Sequence, residues 1–170
     1  EEKQGVFDFK TGNRDIAEFV RICQQEGMWV LMRPGPYVCA EWDFGGLPPY
    51  LLAIPDIKIR CRDERFMKAT TRYIQRFAKE IAPLQCTNGG PILMLQVENE
   101  YGSYANDREY IKALRDLWIA NGIKVPFYTA DGPTPYMLEA GNITGAAIGL
   151  DSGGSDGDFA EASKRNSEVP

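Results

Sequence analysis

The chain reads as an α/β fold built on a parallel sheet, and three observations say so. Short apolar runs of strand length alternate with longer segments whose apolar residues recur three and four positions apart. The apolar runs end abruptly in polar, acidic or glycine residues. No Gly-x-Gly-x-x-Gly follows a strand and opens a helix, so a dinucleotide-binding sheet finds no support. Two architectures fit this pattern, a doubly wound sheet and part of a barrel.

Taken in order, Ile16, Phe19, Val20 and Cys23 form the stripe of an amphipathic helix, and Gly27 stands where a glycine ends one. Trp29 to Met32 is a short apolar strand. A long loop follows, punctuated by Pro34, Pro36, Gly45, Gly46, Pro48 and Pro49. Asp63 is placed to cap the next helix, whose apolar face is Phe66, Tyr73, Ile74, Phe77 and Ile81 and which Pro83 ends. Pro91 to Leu95 is the second strand. Tyr110, Ile111, Leu114, Leu117 and Trp118 mark a helix between Asp107 and Asn121-Gly122. Val125 to Thr129 and Ala146 to Leu150 complete four strands, and a weak helix runs through Phe159, Ala162 and Lys164. There is no internal repeat and no interdomain linker, so residues 1–170 form one unit without a second domain.

Composition excludes several classes of function. Of 170 residues, 44% are apolar and 25% charged, an ordinary globular balance that argues against disorder. Net charge is −5, with no Lys/Arg-rich block, which argues against nucleic acid as a partner. No apolar run approaches the ~18 residues of a membrane span. There is no histidine, which removes Ser-His and Cys-His nucleophile pairs and the commonest zinc ligand. Cys23, Cys39, Cys61 and Cys86 show no Cys-x-x-Cys spacing, and the spacing leaves disulfide pairing open.

The segment that carries chemistry is Gly89-Gly90-Pro91-Ile92-Leu93-Met94-Leu95-Gln96-Val97-Glu98-Asn99-Glu100-Tyr101-Gly102. An apolar strand ends in two glutamates and two amides, and in a parallel barrel such strand ends build the active site. An anonymous pair of glutamates there is more often a solvated strand end. The whole motif sets this one apart. It resembles the signature of glycoside hydrolase family 35, the β-galactosidases. Arg33-Pro34-Gly35-Pro36-Tyr37-Val38-Cys39-Ala40-Glu41-Trp42, followed by Gly45-Gly46-Leu47-Pro48, is similar to the same family's loop after its third strand. Tyr50 departs from the pattern, standing where the family usually has tryptophan. The likeness covers most of the chain and is weakest after about Tyr136.

The resemblance implies part of a (β/α)8 TIM barrel, about its third to sixth strands with their helices, because a closed barrel needs ~250 residues. It implies retaining hydrolysis of terminal β-linked galactose from an oligosaccharide or glycoconjugate, with no metal and no organic cofactor. Glu100, after an asparagine at the end of the fourth barrel strand, would be the general acid/base, and Asn99 would bond the sugar 2-hydroxyl. Tyr37, Cys39, Ala40 and Glu41 would line the galactose pocket. Strand alternation puts Glu98 on the same side as Glu100, in a supporting role toward Glu100 or a nearby arginine. The nucleophile, a glutamate ending the seventh strand, is expected beyond Pro170; neither Glu168 nor Asp151 is given that role. On this reading the segment alone is inactive. Trp42 is expected in the core, Arg33 in an ion pair, and Asp131 and Asp151 as caps of strand-end loops. The alternatives are a related barrel acting on another terminal sugar, such as glucosamine, and a non-catalytic carbohydrate-binding barrel. Oligomeric state stays open; the family's mostly secreted, periplasmic or lysosomal members give only a leaning about compartment.

Overall fold

The computed structural model describes residues 1, 3–152 and 154–166. Gly153 and Glu168 lie outside them. The described residues hold four strands: β1 (Val30–Met32), β2 (Ile92–Gln96), β3 (Phe127–Asp131) and β4 (Ala147–Leu150). They form one sheet in the order β1-β2-β3-β4, every pair parallel. Each strand lies beside its predecessor in the chain, and helical segments cross between them. A doubly wound sheet reverses its strand order partway; this sheet runs on in one direction, as a barrel wall does.

The helices are α1 (Ile16–Gln25), α2 (Glu64–Ile81), α3 (Tyr101–Tyr104), α4 (Arg108–Ala120), α5 (Pro135–Gly141) and α6 (Asp156–Asn166). Asp15, Asp63 and Asp107 each accept a backbone N–H of the first turn of α1, α2 and α4, which satisfies one of the donors a helix start leaves open. Gly27 has φ +72°, the left-handed geometry that stops α1. Phe66, Ile74, Phe77 and Ile81 of α2 and Tyr110, Ile111, Leu114 and Trp118 of α4 are buried with Ile92 and Leu95 of β2. Burial of each large side chain stabilises by roughly 1.5–3 kcal/mol, so this α2–α4–β2 layer dominates the core.

The structure departs from sequence expectation in four places. Phe19 is exposed, because α1 buries Ala17, Val20 and Cys23 instead. The third strand begins two residues late, at Phe127, because the N–H groups of Lys124 and Val125 bond the Gln85 side chain and not a neighbouring strand. The two short helices α3 and α5 carry no apolar stripe long enough to reveal them. Trp42, expected in the core, is 74% exposed.

Gln85 makes four bonds at the start of β2. Its Oε1 accepts from Lys124 N and Val125 N, and its Nε2 donates to the carbonyls of Ala82 and Gly122. It joins three segments at the end of the sheet where the strands begin. The four described cysteines are free, and among the described residues no helix is long and apolar enough to cross a membrane.

Candidate active site

Parallel pairing brings the end of β1 and the end of β2 to the same edge of the sheet. The loop with Tyr37, Cys39, Ala40 and Glu41 leaves the first, and the turn with Asn99 and Glu100 leaves the second. The two are tied directly. Glu98 N donates to Gly35 O at 3.3 Å, and Arg33 Nη2 donates to Asn99 Oδ1 at 2.7 Å. Arg33 therefore hydrogen-bonds the Asn99 amide, and its charge also acts on the neighbouring Glu100 carboxyl.

The turn after β2 is not an extension of the strand. Glu98 has φ +62° and Glu100 φ +47°, a left-handed geometry that side chains rarely adopt and that surroundings must enforce. The period-two expectation for Glu98 and Glu100 fails for this reason: the strand ends at Gln96, and the two glutamates meet different environments. Glu98 is buried, 1% exposed, and Glu100 is partly open to solvent.

Glu98 faces Arg60, also buried. Arg60 Nη2 donates to Glu98 Oε2 at 2.9 Å and Nε to Oε1 at 3.3 Å. The same carboxylate accepts Tyr110 Oη at 2.8 Å and Asn99 N at 2.9 Å. Burial pushes the Glu98 carboxyl above the ordinary glutamate range, while Arg60, the Asn99 N–H and the Tyr110 hydroxyl pull it back. No motif in the sequence announces Arg60. The arginine sits in a loop of ordinary composition, and only the fold brings it beneath residue 98.

Asn99 Oδ1 accepts from Arg33 and, at 3.2 Å, from Gln96 Nε2. Its oxygen is therefore engaged by two donors. Glu100 is fixed through its backbone, N donating to Ala130 O at 2.9 Å. Burial raises its carboxyl pKa first, and a hydrogen bond and repulsion from Asp151 raise it further; Arg33 and Arg60 oppose them. Asp151, expected as a loop cap, thus meets the Glu100 carboxyl from the end of β4.

Asp131, at the end of β3, also does more than close a loop. Its carboxylate is 1% exposed and accepts Gly102 N at 2.7 Å, holding the segment just after Glu100. Burial, opposed by that N–H, lifts its pKa to about 6. A Cβ on Gly102 would stand 1.9 Å from Met137 O, and one on Gly141 would overlap the Asp131 carboxylate. Both glycines are required by close approach.

In the other loop, Cys39, Ala40 and Glu41 are three successive left-handed residues, at φ +61°, +50° and +49°. The run is held by Trp42 N bonding Cys39 O and Gly45 N bonding Trp42 O. Tyr37 packs its ring where a Cβ on Gly45 would lie, 1.9 Å from that position. Glu41 is exposed and bonds no other described residue. No group of three or more His, Cys, Asp or Glu among the described residues is arranged to hold a metal ion.

Comparison with known proteins completes the picture. The family described as glycosyl hydrolases family 35 matches residues 1–169. A β-galactosidase of Xanthomonas manihotis is 45% identical over 144 residues, covering 84% of this chain and 24% of that protein. β-Galactosidase 1 of Dictyostelium discoideum is 42% identical, covering 82% of this chain and 22% of its own length. The β-galactosidase-1-like protein 3 of Mus musculus is 37% identical over the whole chain and 26% of its own. The chain spans about a quarter of the length of these relatives.

Proposed function

The chain belongs to glycosyl hydrolase family 35, and from that premise we propose that it supplies the acid/base half of a retaining exo-β-galactosidase site. One observation carries the reading: Glu100 stands in the turn that follows a parallel strand, partly buried, with its pKa raised by burial and Asp151, beside an asparagine whose oxygen is already occupied. A carboxyl whose pKa is raised by burial and a neighbouring acid holds its proton more tightly than a free glutamate, which suits general acid work. We take the four strands as the third to sixth of a (β/α)8 barrel.

On this reading the non-reducing galactose of an oligosaccharide or glycoconjugate enters the loop of Tyr37, Cys39, Ala40 and Glu41. Glu41 accepts hydrogen bonds from sugar hydroxyls, and Asn99 Nδ2 donates to the 2-hydroxyl. As the bond from the anomeric carbon to the glycosidic oxygen breaks, Glu100 passes its proton to that oxygen. A second carboxylate, expected beyond Pro170, bonds the anomeric carbon. Glu100 then takes a proton from water as the water oxygen displaces that carboxylate, which gives net retention.

The test is Glu100→Gln in the complete barrel enzyme that contains this segment. Turnover of galactosides with poor leaving groups should fall by ~10²–10⁴-fold. Substrates with activated leaving groups should suffer less, and azide should restore part of their turnover as a β-galactosyl azide. Equal loss on both kinds of substrate, without azide rescue, moves the role away from Glu100.

A further inference from the structure

We infer that Arg60 is a positioning residue that couples the sugar-pocket loop to the acid/base turn, so that the grip on galactose and the placement of the Glu100 carboxyl are set by one guanidinium. The inference rests on the reading of Glu100 given above and adds a residue that the two motifs do not contain.

The geometry is specific. Beyond its two contacts to Glu98, Arg60 Nη2 donates to the carbonyl of Asn99 at 2.7 Å, so the guanidinium grips both the side chain of residue 98 and the backbone just before Glu100. Its flat face lies 3.8 Å from the ring centroid of Tyr37 and 4.2 Å from that of Tyr104. Tyr37 opens the loop of Cys39, Ala40 and Glu41, and its ring fills the space beside Gly45 farther along that loop. Tyr104 closes α3, the helix that starts after Glu100. Arg60 itself is left-handed, at φ +52°, and its carbonyl accepts Tyr101 Oη at 3.2 Å. The hydrogen bonds of Nε and Nη2 and both ring contacts therefore end on the segments that carry the site and on the helix that follows Glu100.

A packing role alone would not need these features. A buried cation is costly unless it is paired and fully bonded, and an apolar side chain of similar volume would fill the space at lower cost. Arginine has what the position demands: a rigid planar fork that bonds a carboxylate and a carbonyl together while its face stacks on aromatic rings. Lysine keeps the charge and loses both the fork and the stacking face.

The experiment compares Arg60→Lys, Tyr37→Leu and Glu100→Gln with wild type in the complete enzyme, on aryl β-galactosides spanning a range of leaving-group pKa. The readout is the slope of log kcat/KM against that pKa, which does not depend on the fraction of protein that is folded. Arg60→Lys should steepen the slope, because a displaced acid protonates poor leaving groups badly, with a loss of roughly 10²-fold at the poorest. Its KM for galactosides should rise in the same variant. Tyr37→Leu, which leaves the Arg60–Glu98 pair in place but removes the ring between arginine and loop, should also steepen the slope, by less. A wild-type slope in both variants, with only a lower melting temperature or yield, overturns the inference and leaves Arg60 a structural ion. If Arg60→Lys does not fold, a wild-type slope in Tyr37→Leu alone overturns it. A Glu100→Gln variant with an unchanged slope would instead overturn the reading of Glu100, so the two failures are told apart.

Discussion

The turn at residues 98–100 and the loop at residues 39–41 use the same rare backbone conformation and enforce it differently. In the turn, side chains do the work: Glu98 sits among Arg60, Tyr110 and Asn99 N, Asn99 receives Arg33 and Gln96, and nearly everything is buried. In the loop, three left-handed residues in a row are held by backbone bonds and by the Tyr37 ring, while Ala40, Glu41 and Trp42 face solvent. The first arrangement is set by buried hydrogen bonds before any ligand arrives, which is what the general acid role proposed for Glu100 would require. The second leaves its polar groups open for a ligand to complete. Strained backbone thus takes two forms here, a turn locked by buried side chains and a loop that presents open polar groups.

The largest expected effect breaks the turn. Glu98→Leu leaves the Arg60 charge buried without its carboxylate and should cost about 3–5 kcal/mol in chemical unfolding. Glu41→Gln, at the exposed end of the comparison, should stay within about 0.5 kcal/mol. Similar losses for the two would erase the distinction.

Next comes Asp131, which holds the backbone just beyond the turn. Its native pKa of about 6 lies above the ordinary 3.8, so the folded protein binds this proton more tightly than the unfolded chain. Stability from this group is greatest below pH 3.8 and is lost as pH rises toward 6, by up to about 3 kcal/mol for a shift of that size. Asp131→Asn keeps an oxygen for Gly102 N and removes the titration. Unfolding measured at pH 4 and pH 7 should therefore show a smaller decline in the variant than in wild type. A parallel decline in both proteins would show that the buried carboxyl is not what makes this region pH-sensitive.

In the loop the expected changes are smaller, and one of them runs opposite in sign to the change in the turn. Ala40→Gly removes a left-handed Cβ and should gain up to about 1 kcal/mol, less the entropy glycine brings. Ala40→Val should lose stability, since a β-branched residue tolerates that φ poorly. Thermal melts of the pair read the sign. Last, Asp151→Asn removes the repulsion that raises the Glu100 pKa, so the alkaline limb of kcat/KM should move to lower pH; movement the other way would separate Asp151 from Glu100.

The sequence made the architecture legible because apolar runs and stripes report burial directly. All four strands and the three long capped helices could be read from Val20, Phe66, Ile74, Leu95 and Trp118 and from the aspartates ahead of α2 and α4; the Asp15 cap of α1 came from the structure. The two motifs also marked the strand ends where polar groups gather. What could not be read was whatever depends on approach between distant segments. Arg60 lies 38 residues before Glu98, and no periodicity links the two. Asp131 looks like any strand-end aspartate until Gly102 and Gly141 close on it. Trp42 and Phe19 looked like core because they are large and apolar, but a residue's size does not tell which way a loop or a helix face turns it.

Gln85, far from all of this chemistry, acts as a ruler for it. Two of its four bonds pin residues 124 and 125 beside the approach to β2, the other two hold Ala82 and Gly122, and β3 then extends from that mark by about 3.3 Å per residue. A slip of one residue at the mark would move Asp131 by that length and turn its side chain to the opposite face of the sheet. The carboxylate would then no longer meet Gly102. A neutral amide at one end of a strand thereby sets, to within a single residue, where a carboxylate arrives at the other, and the accuracy of the site is inherited from a joint that never touches it.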